Sequence, residues 1–168
     1  MEDSAAKERT SVLVLCTGNS ARSILCEALL RERGAGRLAA YSAGSQPKAE
    51  PHNEALRLLA SRGHAINGFR SKSWDEFALP GAPELDVVIT VCDSAASESC
   101  PVWPGAPVTA HWGIPDPAGA PQDRLEAEFA IAYKRLSRRV DAFVGLPFEE
   151  MGAEELKRKL NEIGQFDL

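Results

Sequence analysis

A cysteine lies at the carboxyl end of the first apolar run of the sequence, and an arginine follows it six residues later. The stretch reads VLVLCTGNSARS from Val12, which places Cys16 and Arg22 at the two ends of a short polar loop. Gly18 and Asn19 tolerate the left-handed backbone that lets successive N–H groups turn toward one anion, and Arg22 adds a planar fork of donors. The sequence therefore predicts a cradle for a tetrahedral oxyanion, which comprises Thr17, Gly18, Asn19, Ser20, Ala21 and Arg22.

The same surroundings predict that Cys16 is a nucleophile. A helix N-terminus and Arg22 favour the thiolate, so we expect the pKa of Cys16 to lie below that of a free cysteine. The Ser23 hydroxyl is expected to stabilise the thiolate further with a hydrogen bond. The plainer alternative is a buried cysteine followed by an exposed helix arginine. Nucleotide binding is not indicated, because the loop lacks the GK[ST] sequence of a Walker loop.

Apolar runs alternate with amphipathic patterns along the chain. Strands are predicted at residues 11–15, 37–45, 85–92 and 106–112, and helices at about 22–33, 51–63 and 121–144. This alternation predicts an α/β fold of three layers, in which an open parallel four-stranded sheet carries helices on both faces. We expect one catalytic domain over residues 1–147, followed by a tail, 148–168, that is either a short surface helix or mobile.

Parallel strands bind ligands beyond their carboxyl ends. Cys16, Ser42, Cys92 and the segment after His111 all fall at such ends, so we expect them to converge on one edge of the sheet. Each of these segments carries side chains capable of chemistry. His111 itself is interpreted as a structural residue.

Composition excludes several classes of partner. The net charge is −5, so no general field favours a nucleic acid or an anionic membrane, and no segment has the length of a transmembrane helix or the pattern of a signal peptide. A cytoplasmic location is expected. In that reducing compartment the four cysteines do not form a disulfide framework, and the absence of a CxxC pair argues against structural zinc.

Three motifs carry a family resemblance. CTGNSARS is similar to the CX5R phosphate loop of the low-molecular-weight protein tyrosine phosphatase superfamily, which includes phosphatases and thioredoxin-coupled arsenate reductases. ITVCDSAASESCPVWPG and HWGIPDPAG resemble the corresponding segments of the arsenate reductases. The resemblance runs from about Val12 to Val144 and implies the low-molecular-weight phosphatase fold. The loop by itself does not separate a phosphatase from a reductase.

The residues outside the loop favour a reductase. A phosphatase needs one thiolate, whereas a reductase must supply two electrons, and the resemblance implies a disulfide relay from Cys16 through Cys92 to Cys100. It also implies that Asp116 is the general acid, although an aspartate between two prolines would suit a turn as well. Phosphatases of the superfamily usually carry tyrosine where this chain has Ala118, which argues against an aryl phosphate substrate.

The resemblance thus implies reduction of arsenate to arsenite for arsenic detoxification, without an organic cofactor. Phosphate and sulfate would act as mimics of arsenate. Thioredoxin is the expected reductant, with glutaredoxin or glutathione as alternatives. Two other functions stay open: a phosphomonoesterase that uses Cys16, Arg22 and Asp116, and a non-catalytic arsenite-binding or redox-sensing protein.

Some members of the reductase family bind potassium near the phosphate loop. The matching positions in this chain are Asn19, Glu27, Ser42 and Asp75, all of which carry the oxygen ligands that a hard cation prefers. Asn19 could equally shape the loop, and Glu27 could be a surface residue of its helix. Cys26 is interpreted as a core or spare thiol.

Overall fold

Four parallel strands form one sheet at the centre of the protein. The computed structural model describes residues 9–92, 103 and 106–166, so Cys100 lies outside the described residues. The sheet order is β2-β1-β3-β4, and every neighbouring pair is parallel. The strands are β1 (Thr10–Leu15), β2 (Leu38–Ala43), β3 (Val87–Thr90) and β4 (Val108–His111).

In the described part of the chain, four α-helices pack around this sheet. They are α1 (Arg22–Arg33), α2 (Asn53–Ser61), α3 (Leu125–Val144) and α4 (Ala153–Ile163). The architecture confirms the predicted open parallel four-stranded α/β fold. Within the described part of the chain, no helix is both long and apolar enough to cross a membrane.

The predicted strands and helices agree with the structure in position, and the predicted and observed bounds differ most at the ends of the elements. The helix expected from residue 51 begins at Asn53, because His52 caps it by accepting a hydrogen bond from the Glu54 N–H at 3.0 Å. The helix expected from residue 121 begins at Leu125, because a 3-10 turn, Gln122–Arg124, precedes it. Strand β1 sits in the interior of the sheet, which explains why its apolar residues continue without alternation.

The C-terminal segment covers the outer edge of the sheet. Leu156, Leu160 and Ile163 of α4 are buried, and α4 packs on the edge strand β4. The Trp112 indole N–H donates to the Leu160 carbonyl at 2.9 Å, and the Asn161 side chain accepts from the His111 N–H at 3.2 Å. Residues 153–163 thereby shield a strand edge that would otherwise offer unpaired backbone groups.

Arg139 of α3 fixes the segment that follows β4. Its guanidinium is buried and donates to the carbonyls of Trp112 at 2.8 Å, Gly113 at 3.3 Å and Phe166 at 3.0 Å. One side chain therefore joins α3, the C-terminus and the chain that leads toward Asp116. Burial lowers the pKa of Arg139, and the three carbonyls provide the hydrogen bonds that a buried guanidinium requires.

Gly44, directly after β2, touches the loop that follows β1. A Cβ atom at this position would lie 2.4 Å from the Thr17 carbonyl oxygen and 2.6 Å from the Cys16 carbonyl oxygen. Both contacts are with backbone, which cannot move aside as a flexible side chain could. The Gly44 N–H also donates to the Lys72 carbonyl at 2.9 Å, so the loop, β2 and the segment before Trp74 meet at this glycine.

Gly44→Ala should therefore destabilise the protein by about 1–3 kcal/mol, because the new methyl group overpacks a backbone contact. Equilibrium denaturation in urea measures this free energy. Gly119→Ala is the matched control, since Gly119 is exposed, a Cβ there meets no atom within 4 Å, and the change should alter the stability by only a few tenths of a kcal/mol. Equal stability of the two variants would contradict the assigned role of Gly44.

Candidate active site

The carbonyl groups of the loop between β1 and α1 face away from its centre. Four successive carbonyls accept hydrogen bonds from other segments: Thr17 from the Gln46 N–H at 2.9 Å, Gly18 from the Lys48 N–H at 2.9 Å, Asn19 from the Ser71 hydroxyl at 2.6 Å, and Ser20 from the His52 N–H at 2.9 Å. In a trans peptide the next N–H points opposite to the carbonyl. The N–H groups of residues 18–21 therefore face inward, as an oxyanion cradle requires.

Asn19 holds the loop in this shape. Its backbone is left-handed, with φ of 46°, and its side chain is completely buried. The side-chain oxygen accepts from the Lys72 N–H at 2.9 Å, and the amide donates to the hydroxyls of Ser23 at 2.8 Å and Ser42 at 2.9 Å. Since all these groups are satisfied within the protein, Asn19 shapes the cradle from behind.

The cradle opens into a cleft of about 190 Å³. Its lining contains the predicted loop residues except Thr17, together with two segments from elsewhere in the chain: Cys16, Gly18, Asn19, Ser20, Ala21, Arg22, Lys48, Asp116, Ala118 and Gly119. A larger open cavity of about 550 Å³ lies at α1 and α3, but its lining includes none of the predicted catalytic residues. The small cleft is the better candidate site because it alone, of these two, joins a nucleophile to anion donors.

Arg22 and Asp116 face each other across this cleft. The Arg22 guanidinium donates from Nη1 to the Ile114 carbonyl at 3.0 Å, and its Nη2 lies 3.7 Å from Asp116 Oδ2. The Arg22 side chain is only 15% exposed, whereas that of Asp116 is 50% exposed. Among the described residues the buried Arg22 Nε has no hydrogen-bond partner, which leaves a donor for an anion in the loop.

The position of Asp116 suits both roles that the sequence left open, a turn residue and a general acid. Its Oδ1 accepts the Ala118 N–H at 3.0 Å and so caps the 3-10 turn Pro117–Gly119. The second oxygen, Oδ2, points to Arg22 at the mouth of the cleft. One carboxylate oxygen therefore fixes the turn, and the other is placed to transfer a proton.

The structure brings Cys16 and Cys92 together. Both thiols are buried and reduced, their side chains are in hydrogen-bond contact, and the Thr17 hydroxyl lies 3.7 Å from the Cys92 sulfur. Cys16 follows β1 directly and Cys92 lies two residues beyond β3, so the parallel pairing of β1 with β3 brings both cysteines to the same edge of the sheet. No rearrangement of the backbone is needed to bring these two residues into contact.

This contact overturns the expected acidity of the nucleophile. The hydrogen-bond contact with Cys92, followed by burial, raises the pKa of Cys16, while Arg22 and the Gly18 N–H lower it. The expectation of a depressed pKa is therefore wrong. The sequence displayed the favourable charge of Arg22 and the nearby Cys92, but it could not display the hydrogen bond between the two thiols or the depth of their burial.

Ser23 and Cys26 lie away from the reacting sulfur. The Ser23 hydroxyl is completely buried against the Asn19 amide, and within the described residues it makes no hydrogen bond to Cys16. Its observed contact thus supports Asn19 in the loop. Cys26 is fully buried on α1, and burial raises its pKa to about 12, as fits the interpretation of a core thiol.

Three of the four expected potassium ligands lie together. The Ser42 hydroxyl donates to Glu27 at 2.5 Å and accepts from Asn19, and Glu27 is buried, not on the surface. Asp75 lies apart: its N–H bonds to the Ser73 hydroxyl at 3.1 Å at the start of the 3-10 helix Trp74–Ala78. Its carboxylate makes no hydrogen bond to the other three among the described residues.

An ammonium group stands beside these oxygens. Lys72 donates from Nζ to the Ser42 carbonyl at 2.8 Å and to the Arg70 carbonyl at 3.0 Å. No cluster of three or more His, Cys, Asp or Glu side chains suited to a metal ion occurs in the described part of the chain. Because the Lys72 ammonium already binds two of the nearby carbonyl oxygens, the residues present do not fit a bound potassium ion.

Sequence reasoning missed Lys48 and Lys72. The aliphatic chain of Lys48 packs over Gly18, with its Cε 3.2 Å from the position a Gly18 Cβ would take, and Lys48 lines the cleft. The sequence signal for Lys48 was its position shortly after β2, because the carboxyl end of that strand was already expected to lie at the site. No motif indicated Lys72, because its contacts are with backbone carbonyls.

Known proteins share both the fold and the loop. The family described as low molecular weight phosphotyrosine protein phosphatase matches residues 11–162. The arsenate reductase of Bacillus subtilis (strain 168) is 34% identical over 113 residues, which are 67% of this chain and 78% of that protein.

Two solved structures illustrate the two activities known in this fold. A thioredoxin-dependent arsenate reductase of Corynebacterium glutamicum is 26% identical with a TM-score of 0.58, and the match covers 80% of this chain but only 62% of that one. A low molecular weight protein tyrosine phosphatase from T. tengcongensis is 25% identical with a TM-score of 0.61, covering 79% of this chain and 95% of that one. The family match spans the loop, Cys92, Asp116 and nearly all of α4, and the chain belongs to the low molecular weight phosphotyrosine protein phosphatase family.

Proposed function

We propose that this protein reduces arsenate to arsenite, with Cys16 as the nucleophile and Cys92 as the first resolving thiol. The observation that carries the proposal is the contact of these two buried thiols at the base of an oxyanion cleft. A phosphatase recovers its thiolate by hydrolysis and gains nothing from a neighbouring thiol. The names of the relatives, including the arsenate reductase of B. subtilis, support the same activity.

Binding comes first in the proposed mechanism. The inward N–H groups of residues 18–21 and the Arg22 guanidinium hold arsenate, and the proton of the Cys16 thiol passes to the bound dianion. This transfer offsets the raised pKa of Cys16, because the anion accepts the proton of the thiol. The hydrogen arsenate dianion becomes dihydrogen arsenate, and one of its protonated oxygens becomes the leaving group.

Bond exchange at arsenic follows. The Cys16 thiolate attacks As(V), and Asp116 gives its proton to the departing oxygen, which leaves as water. The Cys92 sulfur then attacks the Cys16 sulfur, and the proton of the Cys92 thiol passes to an oxygen of the departing arsenite. The electron pair of the S–As bond passes to arsenic, so arsenite leaves as As(III) while a Cys16–Cys92 disulfide forms.

The last steps restore the nucleophile. Cys100, which lies outside the described residues, attacks Cys92, releases the Cys16 thiolate and forms a Cys92–Cys100 disulfide. A thioredoxin dithiol supplies the two electrons that reduce this disulfide, as the name of the C. glutamicum relative suggests for that protein. Glutaredoxin or glutathione stays an alternative reductant, and a cytoplasmic location stays a prediction.

The cleft itself disfavours an aryl phosphate. Ala118 and Lys48 line its mouth, so neither residue offers the aromatic ring that would stack on a phosphotyrosine. Phosphomonoester hydrolysis is nevertheless the main rival, because Cys16, Arg22 and Asp116 would serve it equally. The experiments that follow distinguish the two functions.

Cys92→Ser should abolish multiple-turnover arsenite release, and Cys100→Ser should stop after one turnover with Cys16 bonded to Cys92. Mass spectrometry of unreduced peptides, together with arsenite assays using thioredoxin or glutaredoxin as sole reductant, measures both outcomes. Cys26→Ser is the matched control and should retain activity. Undiminished arsenate reduction by Cys92→Ser, or rapid hydrolysis of phosphotyrosine peptides without arsenite release, would contradict the proposal.

Asp116→Asn should lower kcat by about 10²–10⁴-fold, because the amide cannot protonate the leaving oxygen. Its side-chain oxygen can still accept the Ala118 N–H, so the turn should remain intact. Single-turnover kinetics measures this change, with formation of the Cys16–Cys92 disulfide as the signal. Asp123→Asn, in the neighbouring 3-10 turn, is the control, and an equal loss in both variants would argue against proton transfer by Asp116.

Cys92→Ala should lower the pKa of Cys16, because it removes the hydrogen bond and the charge interaction with Cys92, both of which raise it. The rate of Cys16 alkylation by iodoacetamide then reaches half its maximum at a lower pH than in the unaltered protein. Cys26→Ala, which removes a thiol outside the site, should leave the profile in place. A profile of Cys92→Ala that shifts to higher pH would show that Cys92 stabilises the thiolate instead.

A further inference from the structure

Lys72 is one of the residues that hold the oxyanion loop in shape. Its ammonium group donates to the carbonyls of Ser42 at 2.8 Å and Arg70 at 3.0 Å. Its own N–H donates to the Asn19 side chain at 2.9 Å, and its carbonyl accepts from the Gly44 N–H at 2.9 Å. One residue thus holds the loop and the end of β2 with both its backbone and its charge.

A buried carboxylate faces this ammonium. Glu27 is 5% exposed, and its carboxylate accepts from the Ser42 hydroxyl at 2.5 Å and from Arg31. Burial raises the pKa of Glu27, while the Ser42 hydrogen bond, Lys72 and Arg31 lower it. Since a buried negative charge is costly without a partner, the Lys72 ammonium contributes directly to keeping Glu27 ionised.

The electrostatic surroundings of Lys72 contain both signs of charge. Burial lowers the pKa of Lys72, Glu27 and Glu76 raise it, and Arg70 and Arg31 lower it further. Glu76 is itself held by two hydrogen bonds from Arg70, at 2.7 and 3.1 Å. Glu27 is therefore the negative group that gains most from the ammonium.

A hard monovalent cation would bind the same oxygens that surround the Lys72 ammonium. Two backbone carbonyls, a hydroxyl and a carboxylate are ligands for such an ion, and here the Lys72 ammonium donates to both carbonyls. We propose that Lys72 is a built-in cation of this site, so that the shape of the oxyanion loop does not depend on potassium. The connection to the loop runs from Glu27 through the Ser42 hydroxyl to the Asn19 amide.

The first test needs no variant. Melting temperatures of the whole protein, and sulfate affinities from titration calorimetry, are compared in potassium chloride and choline chloride at equal ionic strength. We expect the same melting temperature and the same sulfate Kd in both salts. A melting temperature or a sulfate affinity that rises specifically with potassium overturns the proposal. Neither readout requires arsenate turnover, so this test is independent of the proposed reductase activity.

Lys72→Met tests the charge itself. The melting temperature should fall by about 4–8 °C and the sulfate Kd should rise about tenfold, at pH 7 and at pH 8 alike. Both losses are expected because Glu27 stays buried at the end of the hydrogen-bonded chain to Asn19 without the ammonium that faces it.

Lys157→Met is the control for the loss of a lysine charge, because Lys157 is exposed on α4 and not in the segment that contains Lys72. It should leave the melting temperature and the sulfate Kd unchanged. Lys72→Asp should create a dependence on potassium, seen as a higher melting temperature in potassium chloride than in choline chloride. If Lys72→Met matches the unaltered protein at both pH values, Lys72 is not the required cation and the proposal is overturned.

Discussion

The site depends on the outward hydrogen bonding of four consecutive carbonyls in the loop after β1. Each peptide unit that turns its carbonyl to the segments after β2 or before Trp74 turns an N–H to the centre. The cradle is therefore made by its surroundings as much as by its own residues. Gly44 is part of this arrangement, because only a residue without a Cβ lets β2 approach the loop so closely.

Behind the cradle lies a layer of buried polar side chains that carries charge as well as shape. Asn19, Ser42 and Glu27 form a continuous hydrogen-bonded chain, and Lys72 joins it from the side. Removing any one member would leave a buried polar group unpaired, which costs more than the bond itself contributes. The rigidity of the oxyanion site and the burial of Glu27 are thus two consequences of one network.

In the proposed reaction, the contact between the nucleophile and the resolving thiol has two opposed effects. Keeping Cys92 against Cys16 removes the need for a large movement before the first disulfide, but it also raises the pKa of the nucleophile. A cleft that is small and rich in N–H donors offsets this cost, since the bound anion itself can take the proton. The geometry favours disulfide exchange over repeated hydrolysis for the same reason.

Local pattern in the sequence determined the α/β order, the parallel sheet, and the convergence of Cys16, Cys92 and Asp116 at one edge, because strand polarity and connection handedness leave few alternatives. Three features needed the tertiary structure. The acidity of Cys16 depends on burial and a distant thiol, the C-terminal helix depends on an uncovered strand edge, and the cation beside Glu27 depends on which residue of the 70–75 segment turns inward. Spacing along the chain carries no information on any of these, because each is decided by atoms that meet only after folding.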